Sequence, residues 1–242
     1  FYILKKKAPS NSMNLLFLFF INFTQAQQQP ANIEFLGRAT HPTSNVLLYI
    51  ERHRGFRQPD GSFTWISSTY EDPKGNIFAR KSSIFNQHRT IPEHTFTDSR
   101  FKLSEKSTVH PSLLKVEIER TIDGKTKTGS IAIKENSVAG QGFHNFIVKN
   151  FEKLKIHSET ISFILIPKMD EYSFRISLDP TFPSGEDVRF KVNLKNFLLR
   201  SFVSPIFLSY NSQSKKLLEF KGLSNLDDSQ GRSQEVLIKY QY

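Results

Sequence analysis

Cysteine is absent from the 242 residues, so this chain has no disulfide bridge and no thiolate ligand for a metal ion. Signatures of common active sites are missing too, since neither G-x-S-x-G nor H-E-x-x-H occurs in the sequence. After residue 32 there is no internal repeat, no low-complexity segment and no Pro/Ser-rich linker. These absences exclude a disulfide scaffold, an α/β-hydrolase elbow and a repeat architecture, and they predict a fold held by non-covalent packing alone.

Only one long hydrophobic run is present, and it lies close to the start of the chain. It extends from Leu15 to Phe23 and is followed by small and polar residues up to Ala26, which is typical of a signal peptide. The run is about half as long as the roughly 20 residues of a membrane-spanning helix, although an uncleaved anchor is the alternative. We therefore expect translation to start at Met13, residues 1–26 to be removed, and residues 27–242 to be exported, most simply to the periplasm of a Gram-negative bacterium.

From Ile33 onward, apolar and polar residues alternate with the two-residue period of half-buried strands. The predicted strands are 46–53, 62–70, 76–85, 113–121, 128–134, 160–167, 172–178, 188–194, 206–210, 216–220 and 234–240. Turn residues such as Pro59-Asp60-Gly61 and Asp123-Gly124 separate them. The pattern predicts a single, mainly β domain, an antiparallel meander of about eleven strands that forms a barrel or a strongly curved sheet. The stretch Gln87–Ser112 lacks the alternation, and we expect a long loop there.

Two segments depart from the strand pattern. In residues 142–155 the apolar residues recur at three- and four-residue steps from Phe143 to Leu154, which predicts an amphipathic helix. The apolar segment 196–203, which ends before Pro205, is either a second short helix or an apolar loop.

Motifs that suggest catalysis lie in the wrong structural context. Ser112–Lys115 matches S-x-x-K and Lys127–Gly129 matches K-T-G, but the serine precedes a strand rather than opening a helix. Glu117 and Glu119 share one face of a predicted strand, where flanking basic residues indicate a solvated, mixed-charge surface. The seven histidines are scattered without metal-ligand spacing. The sequence therefore predicts no catalytic residue, no metal ion and no cofactor.

The acidic loop near the C-terminal end resembles a calcium loop only superficially. Counted from Asn225, the sixth position of an EF-hand would be Gln230 rather than glycine, and the twelfth would be Val236 rather than glutamate. We interpret the loop as a hairpin end in which Ser224, Asn225 and Asp228 hydrogen-bond to backbone amides.

Two groups of residues are candidates for binding. Arg52, Arg54 and Arg57 surround Phe56, and such a basic and aromatic cluster favours contact with anionic head groups. Export removes access to nucleic acid, which is therefore not expected as a partner. The apolar candidates for ligand contact are Phe146, Phe197, Leu198 and Phe202.

The C-terminal part of the chain resembles a family of uncharacterised exported bacterial proteins. The shared pattern is N-[FW]-L-L-R at Asn196–Arg200, then L-L-x-[FY]-x-G-x-S-N-[IL]-x-D, in which Gly222, Ser224, Asn225 and Asp228 form the turn signature. Earlier segments that agree are 37–39, 49–54, 69–81 and 142–176. The resemblance implies export and a periplasmic β-meander, and it implies no activity. In architecture alone, a curved sheet crossed by a helix is similar to half-barrels that carry lipids or lipoproteins through the periplasm.

These observations favour non-enzymatic binding of an apolar or lipid-like small molecule, because 23 phenylalanines are available to line the interior of such a sheet. A structural or protein-interaction module of the cell envelope and a hydrolase of unknown substrate are the alternatives. A hydrolase predicts histidine, aspartate and serine gathered in one cleft, whereas a structural module predicts a filled interior.

Overall fold

The computed structural model describes residues 30–183, 185–195 and 204–242. Fifteen strands form one mostly antiparallel sheet that is not closed into a barrel. The strands are β1 (Ile33–Thr40), β2 (Leu47–Arg57), β3 (Phe63–Glu71), β4 (Ile77–Ile84), β5 (Glu93–Asp98), β6 (Leu103–His110), β7 (Lys115–Ile122), β8 (Lys125–Ala132), β9 (Ser137–Ala139), β10 (Glu159–Leu165), β11 (Asp170–Leu178), β12 (Asp187–Leu194), β13 (Ile206–Asn211), β14 (Leu217–Leu223) and β15 (Glu235–Gln241). Two helices, α1 (Gly142–Lys149) and α2 (Phe151–Leu154), follow β9.

The sheet consists of two meanders joined along one central pair of strands. We call β1 to β8 the first half and β9 to β15, with both helices, the second half. Sheet order runs from β8 back to β1, then from β15 back to β9, so β1 pairs with β15 at the centre. Tight turns link neighbouring strands; at Asp123-Gly124 both residues have positive φ, 46° and 75°, as a type I′ hairpin turn requires.

The two outer edges of the sheet approach each other. The chain leaves β8 at Ala132 and enters β9 at Ser137, so only residues 133–136 separate one edge from the other. Gly129 of β8 lies against Met169, which follows β10. A cluster of aliphatic side chains fills this boundary, drawn from Ile91, Val109, Val116, Ile118, Ile131, Ala139, Ile164 and Ile166. We call the boundary the seam; β8 pairs in the sheet with β7 alone, so no strand ladder crosses the seam. Side chains hold it together with two hydrogen bonds between β9 and Thr90, one from the Ala139 amide to the Thr90 carbonyl and one from the Thr90 hydroxyl to the Ser137 carbonyl.

The helices pack on the inner face of the second half. Phe146, Ile147, Phe151 and Leu154 join a buried core with inward residues of β10 to β13, among which Phe190 is fully buried. Asn145 ties α1 to the first half, because its side chain accepts a hydrogen bond from the Phe63 amide and donates to the Phe63 carbonyl. The helices therefore lie within the curve of the sheet and connect its two halves.

The expectation of a mainly β, curved antiparallel sheet is confirmed, while two details were wrong. The sheet has fifteen strands rather than about eleven, and the stretch Gln87–Ser112 contains all of β5 and β6 instead of a long loop. The helix expected at 142–155 is divided at Asn150 into α1 and α2. The predicted signal peptide (1–26) and the segment 196–203 lie outside the described residues.

Candidate functional site

Polar side chains occupy the inner face of the first half. Alternation along β2 points Glu51 and His53 inward, and the strand register places His53 beside Ser68 of β3, which in turn lies beside Lys81 of β4. Residues directly opposite on antiparallel strands have Cβ atoms about 4.5–5.5 Å apart, so these side chains are neighbours. The next register positions add Ser83, beside His94 of β5, and then Ser107 of β6. We call Glu51, His53, Ser68, Lys81, Ser83, His94 and Glu105 of β6, with Gln141 ahead of α1, the polar cluster.

A hydrogen-bonded chain crosses one side of the polar cluster. His53 Nε2 lies 2.9 Å from a carboxylate oxygen of Glu51, and His53 Nδ1 lies 2.7 Å from the Ser68 hydroxyl. Gln141 donates to the same Ser68 hydroxyl at 3.1 Å, and the Tyr240 hydroxyl donates to Glu51 at 3.2 Å. Serine, histidine and carboxylate in this order resemble the arrangement of a nucleophile with its base. The chain of hydrogen bonds fixes the imidazole, and the Ser68 residue is 2% exposed.

Lys81 is the most unusual member of the polar cluster. The residue is 8% exposed, and its ammonium lies under the β9–α1 connection, where a Cβ added to Gly140 would be 3.8 Å from Nζ. Glu51 and Glu105 attract the ammonium from a distance, and among the described residues no hydrogen bond holds it. Burial lowers the pKa of Lys81, against the opposing effect of the two carboxylates. An ammonium without a contact partner in the interior is costly.

Other polar atoms beside Lys81 also lack partners. The Ser83 hydroxyl, His94 Nδ1 and Gln141 Oε1 are buried without a hydrogen bond, and the Ser83 and His94 residues are 0% and 4% exposed. Burial, followed by the charge of Lys81, holds the pKa of His94 well below its usual value. Each buried polar atom without a partner costs about 1–3 kcal/mol, and native proteins contain few of them. Two further atoms without a partner, Ser82 Oγ and Thr95 Oγ1, lie on the other face of the sheet, and the three beside Lys81 mark this part of the interior as the candidate site.

Glu105 marks the far side of the polar cluster. Its carboxylate accepts a hydrogen bond from Arg120 Nε at 2.8 Å. Burial raises the pKa of Glu105 even though Arg120 and Lys81 oppose that shift. The site is therefore flanked by two carboxylates, Glu51 and Glu105, that stabilise the positive charge of Lys81.

The loop between β14 and β15 covers one end of the curved sheet. Leu226 is buried among the aromatic residues there, the Ser224 hydroxyl lies 2.9 Å from the Tyr49 hydroxyl, and Asn225 shares a hydrogen bond with Tyr70. Asp228 accepts hydrogen bonds from the amides of Gln230 and Arg232. The turn-signature residues thus shape a cap over the interior rather than a metal loop.

Gly222, the residue before the end of β14, has φ 156°, and a Cβ there would approach Ile206 Cγ1 to 2.9 Å. The position therefore favours glycine, since both its backbone conformation and the close approach of β13 disfavour a side chain.

The predicted arginines do not form one cluster. Arg52 and Arg54 lie on the outer face of β2, where Arg52 Nε binds Glu71 at 2.7 Å and Arg54 Nε lies 3.5 Å from Glu34. Arg57 instead donates to the carbonyls of Gly61 and Ser214 and holds two turns together. Contact of these arginines with anionic head groups stays a prediction.

The apolar candidates have different positions. Phe146 is 5% exposed and packs inside the core of the second half, where side chains surround it. Phe197, Leu198 and Phe202 lie outside the described residues. The apolar ligand contacts predicted from the sequence therefore stay predictions.

Two open cavities lie away from the polar cluster. One of about 520 Å³ is on the outer face of β6 to β8 and includes Glu117 and Glu119 in its lining. The other, of about 270 Å³, lies between the β2–β3 turn and the β4–β5 loop. Glu117 binds Lys115 and His110, which is the mixed-charge surface expected from the sequence. Within the described ranges, no group of three or more His, Asp or Glu side chains could hold a metal ion.

The polar cluster was missed by sequence reasoning, although a signal was present. In β2, Glu51 and His53 are separated by one residue, which is the spacing of side chains on the same face of a strand. They follow the buried Tyr49 on that face. In β5 and β6 the inward positions carry His94, Glu105 and Ser107 instead of apolar residues. The alternation of apolar and polar residues that identifies a strand is therefore missing there.

Comparisons with known proteins add little to what the geometry shows. No protein-family model matches the chain, and no curated protein matches it. A porin-like protein from Bacteroides uniformis ATCC 8492 is similar in structure at 9% identity with a TM-score of 0.27, over 86% of this chain and 95% of that chain. At that TM-score the likeness carries no argument about this protein. In the part of the chain that the structure describes, no helix is long and apolar enough to cross a membrane.

Proposed function

We propose that this protein is a non-enzymatic binding protein for a lipid-like small molecule, which enters between the edges of the curved sheet and reaches the polar cluster. The observation that carries the proposal is the group of buried polar atoms without partners around Lys81. Buried polar groups normally find partners, and strongly perturbed groups concentrate at functional sites. A ligand with a polar end would supply the missing partners.

The aliphatic residues next to the polar cluster favour a ligand with an apolar body. Ser107 pairs with His94 on one side and with Ile118 on the other, so the aliphatic residues of the seam begin one strand beyond the polar groups. Pockets for small molecules commonly combine an apolar lining with a few placed polar groups. The seam is also the part of the sheet boundary that can separate without breaking a strand ladder.

Export to the periplasm belongs to the same proposal. It is supported by the signal-peptide pattern of residues 1–26 and by the absence of cysteine, which suits an oxidising compartment. In that setting Arg52 and Arg54 on the outer face would meet anionic lipid head groups, and mutation of both would weaken binding to vesicles that contain phosphatidylglycerol.

A structural module of the envelope is the second candidate, and a specific observation favours it. The second half is filled by its own side chains, with Phe151, Ile176 and Phe190 at 1%, 0% and 0% exposure. A filled interior is what a structural module needs. The two candidates differ in one measurable property, since only a binding protein takes up an apolar probe into its interior.

The test uses N-phenyl-1-naphthylamine, an uncharged probe that fluoresces in apolar surroundings, with protein from which bound lipid has been extracted. The seam can be locked by Gly129→Cys combined with Met169→Cys, because a Cβ at position 129 would lie 3.0 Å from Met169 Cβ. A disulfide needs Cβ atoms about 3.5–4.5 Å apart, which a shift of a few tenths of an ångström provides. The natural chain has no cysteine, so the crosslink is unambiguous.

We expect the wild-type protein and each single cysteine variant to take up the probe with saturation. The oxidised double variant should lose most of the uptake and regain it after reduction with dithiothreitol. Absence of saturable uptake by the wild-type protein, with no lipid found by mass spectrometry of the extract, would reject the binding function and favour the structural module.

A further inference from the structure

We propose that the polar cluster binds the single carboxylate of a long-chain acid, with Lys81 as its counter-ion and with Ser83 and His94 as hydrogen-bonding partners. This inference rests on the proposed binding function and names the chemical class of the ligand. It is carried by four neighbouring groups, Lys81 Nζ, Ser83 Oγ, His94 Nδ1 and Gln141 Oε1, none of which has a hydrogen-bond partner in the described chain.

The donors available in the polar cluster match a carboxylate. An ammonium can donate three hydrogen bonds, and a serine hydroxyl donates one more. His94 Nδ1 donates when the ring carries its proton there, which adds a neutral donor beside the ammonium. Gln141 Oε1 is an acceptor, so it suits a bridging water at the margin of the carboxylate. Hydrogen bonds that pair an ammonium with a carboxylate are among the strong ones in proteins.

The charges around the site select a monoanion. Glu105 is already paired with Arg120, and Glu51 is held by His53 and Tyr240. Lys81 therefore lacks a contact partner of opposite charge, although Glu51 and Glu105 act on it from a distance, and a single carboxylate would supply that contact. A phosphate dianion would bring a second negative charge near Glu51 and Glu105, where repulsion in a medium of low dielectric constant disfavours it.

The length of the ligand follows from the position of the seam. From Lys81 and Ser83 on β4, the inward face continues through His94 on β5 and Ser107 on β6 to Ile118 on β7. Ile131 of the edge strand β8 follows on the same face, beside Val116 of β7. Neighbouring strands are about 4.8 Å apart, so the path from β4 to β8 is about 19 Å long. An acyl chain of about twelve carbons extends along most of that path, with its head at Lys81 and its tail among the seam residues.

The test compares dodecanoate with three ligands that each change one property: dodecanol with the same chain but no charge, acetate with the charge but no chain, and dodecyl phosphate with the same chain and a dianionic head. Binding is measured by displacement of N-phenyl-1-naphthylamine or, for acetate, by calorimetry. We expect the wild-type protein to prefer dodecanoate over dodecanol by roughly 10- to 100-fold, the range that a hydrogen bond to a charged group contributes. Dodecyl phosphate should bind less tightly than dodecanoate, and acetate should bind far more weakly.

The decisive variant is Lys81→Met, which removes the charge and keeps a linear side chain of similar length. It should bind dodecanol and the probe as the wild-type protein does and lose the preference for dodecanoate. Lys239 is an exposed lysine on β15, and Lys239→Met serves as the matched control. It should change neither the binding of the probe nor the preference for dodecanoate. Lys81→Arg restores the charge and should regain part of the preference, and Lys81→Gln provides a second neutral variant if the methionine variant does not fold.

Each outcome has a separate meaning. Uptake of the probe and of dodecanol without any preference for dodecanoate would overturn the carboxylate inference and leave the binding function intact. A preference for dodecanoate in Lys81→Met equal to that of the wild-type protein would also overturn the carboxylate inference and leave the binding function intact. Strong binding of acetate alone would assign the site to a free small acid. Failure of every apolar ligand to bind would reject the binding function itself.

Discussion

In the second half of the sheet the inward positions carry residues such as Ile161, Phe190 and Leu208, whereas in the first half they carry Glu51, Lys81 and Glu105. Among the described residues, thirteen buried polar or charged residues lie in the first half and four in the second. Both halves are antiparallel meanders with short turns, so the backbone does not require this difference. The difference indicates a division of roles, in which both halves bury apolar side chains but the first half also holds most of the groups that are costly to bury.

Aromatic packing explains why the second half can stabilise the fold. Phe190 contacts Phe151 edge to face with ring centroids 5.4 Å apart, and Tyr210 lies 6.0 Å away. The first half contains buried hydrophobic clusters as well, one at the end covered by the β14–β15 loop, one along the seam and a smaller one around Phe63, Ile66 and Phe85. The two halves meet at α1, where His144 stacks on Phe63 of the first half and on Tyr210 of the second.

The largest effect is expected for Phe190→Ala. Removal of a fully buried ring costs its transfer free energy and leaves a cavity, so the free energy of unfolding should fall by about 3–5 kcal/mol in urea titrations. Leu113→Ala, at a side chain that is 62% exposed, is the control and should change it by less than about 0.5 kcal/mol. A loss below about 1 kcal/mol for Phe190→Ala would mean that the second half is loosely packed and that it, rather than the seam, could hold a ligand.

His144 tests the contact between the halves through pH. Its Nε2 donates to the Gly61 carbonyl at 3.0 Å, and burial lowers its pKa from 6.5 to about 4. Because the unfolded chain takes up this proton at higher pH than the folded protein, stability should fall as the pH drops from about 6.5 toward 4. At about 1.4 kcal/mol per pKa unit, the loss is about 2–3 kcal/mol.

Comparison of the wild-type protein with His144→Gln isolates this contribution, since other histidines titrate in both proteins. The difference between their free energies of unfolding, measured at a series of pH values, should vary across the window from 6.5 to 4. Parallel curves would show that His144 is accessible to protons in the folded state and that α1 does not seal the contact between the halves.

The same contrast explains what the sequence could predict. Strands β10 to β13 alternate apolar and polar residues because their inner face is an ordinary core, and the pattern identified most of that region. Strands β5 and β6 were taken for a loop because their inner faces carry His94, Asp98, Glu105 and Ser107. The stretch that failed the hydrophobic pattern thus contributes His94 and Glu105 to the candidate site, whereas Glu51, Ser68 and Lys81 lie on strands that the pattern did predict.

Other parts of the site depend on contacts that sequence alone does not specify. Gln141 and Ser68 are 73 positions apart, and their hydrogen bond follows from the way the β9–α1 connection crosses the inner face. Asp228 was predictable as a turn residue because its partners, the amides of Gln230 and Arg232, are close in the chain. Local chemistry was therefore visible in the sequence, and the convergence of distant strands was not.

The smallest effect is expected for Lys81→Met, and its sign is opposite to that of Phe190→Ala. Burial lowers the pKa of Lys81 despite two nearby carboxylates, so the cost of removing the ammonium from water exceeds their attraction. Replacement by an apolar side chain of similar length should therefore raise the free energy of unfolding, by about 1 kcal/mol, in urea titrations at neutral pH. Lys239→Met should leave the free energy of unfolding unchanged within about 0.5 kcal/mol.

A clear loss of stability in Lys81→Met would show that the ammonium holds Glu51 and Glu105 together as a structural ion network. In that case the polar interior of the first half would contribute to the fold as the apolar interior of the second half does. A gain would mean that the protein keeps a destabilising lysine in its interior, which natural proteins do where a function requires the charge.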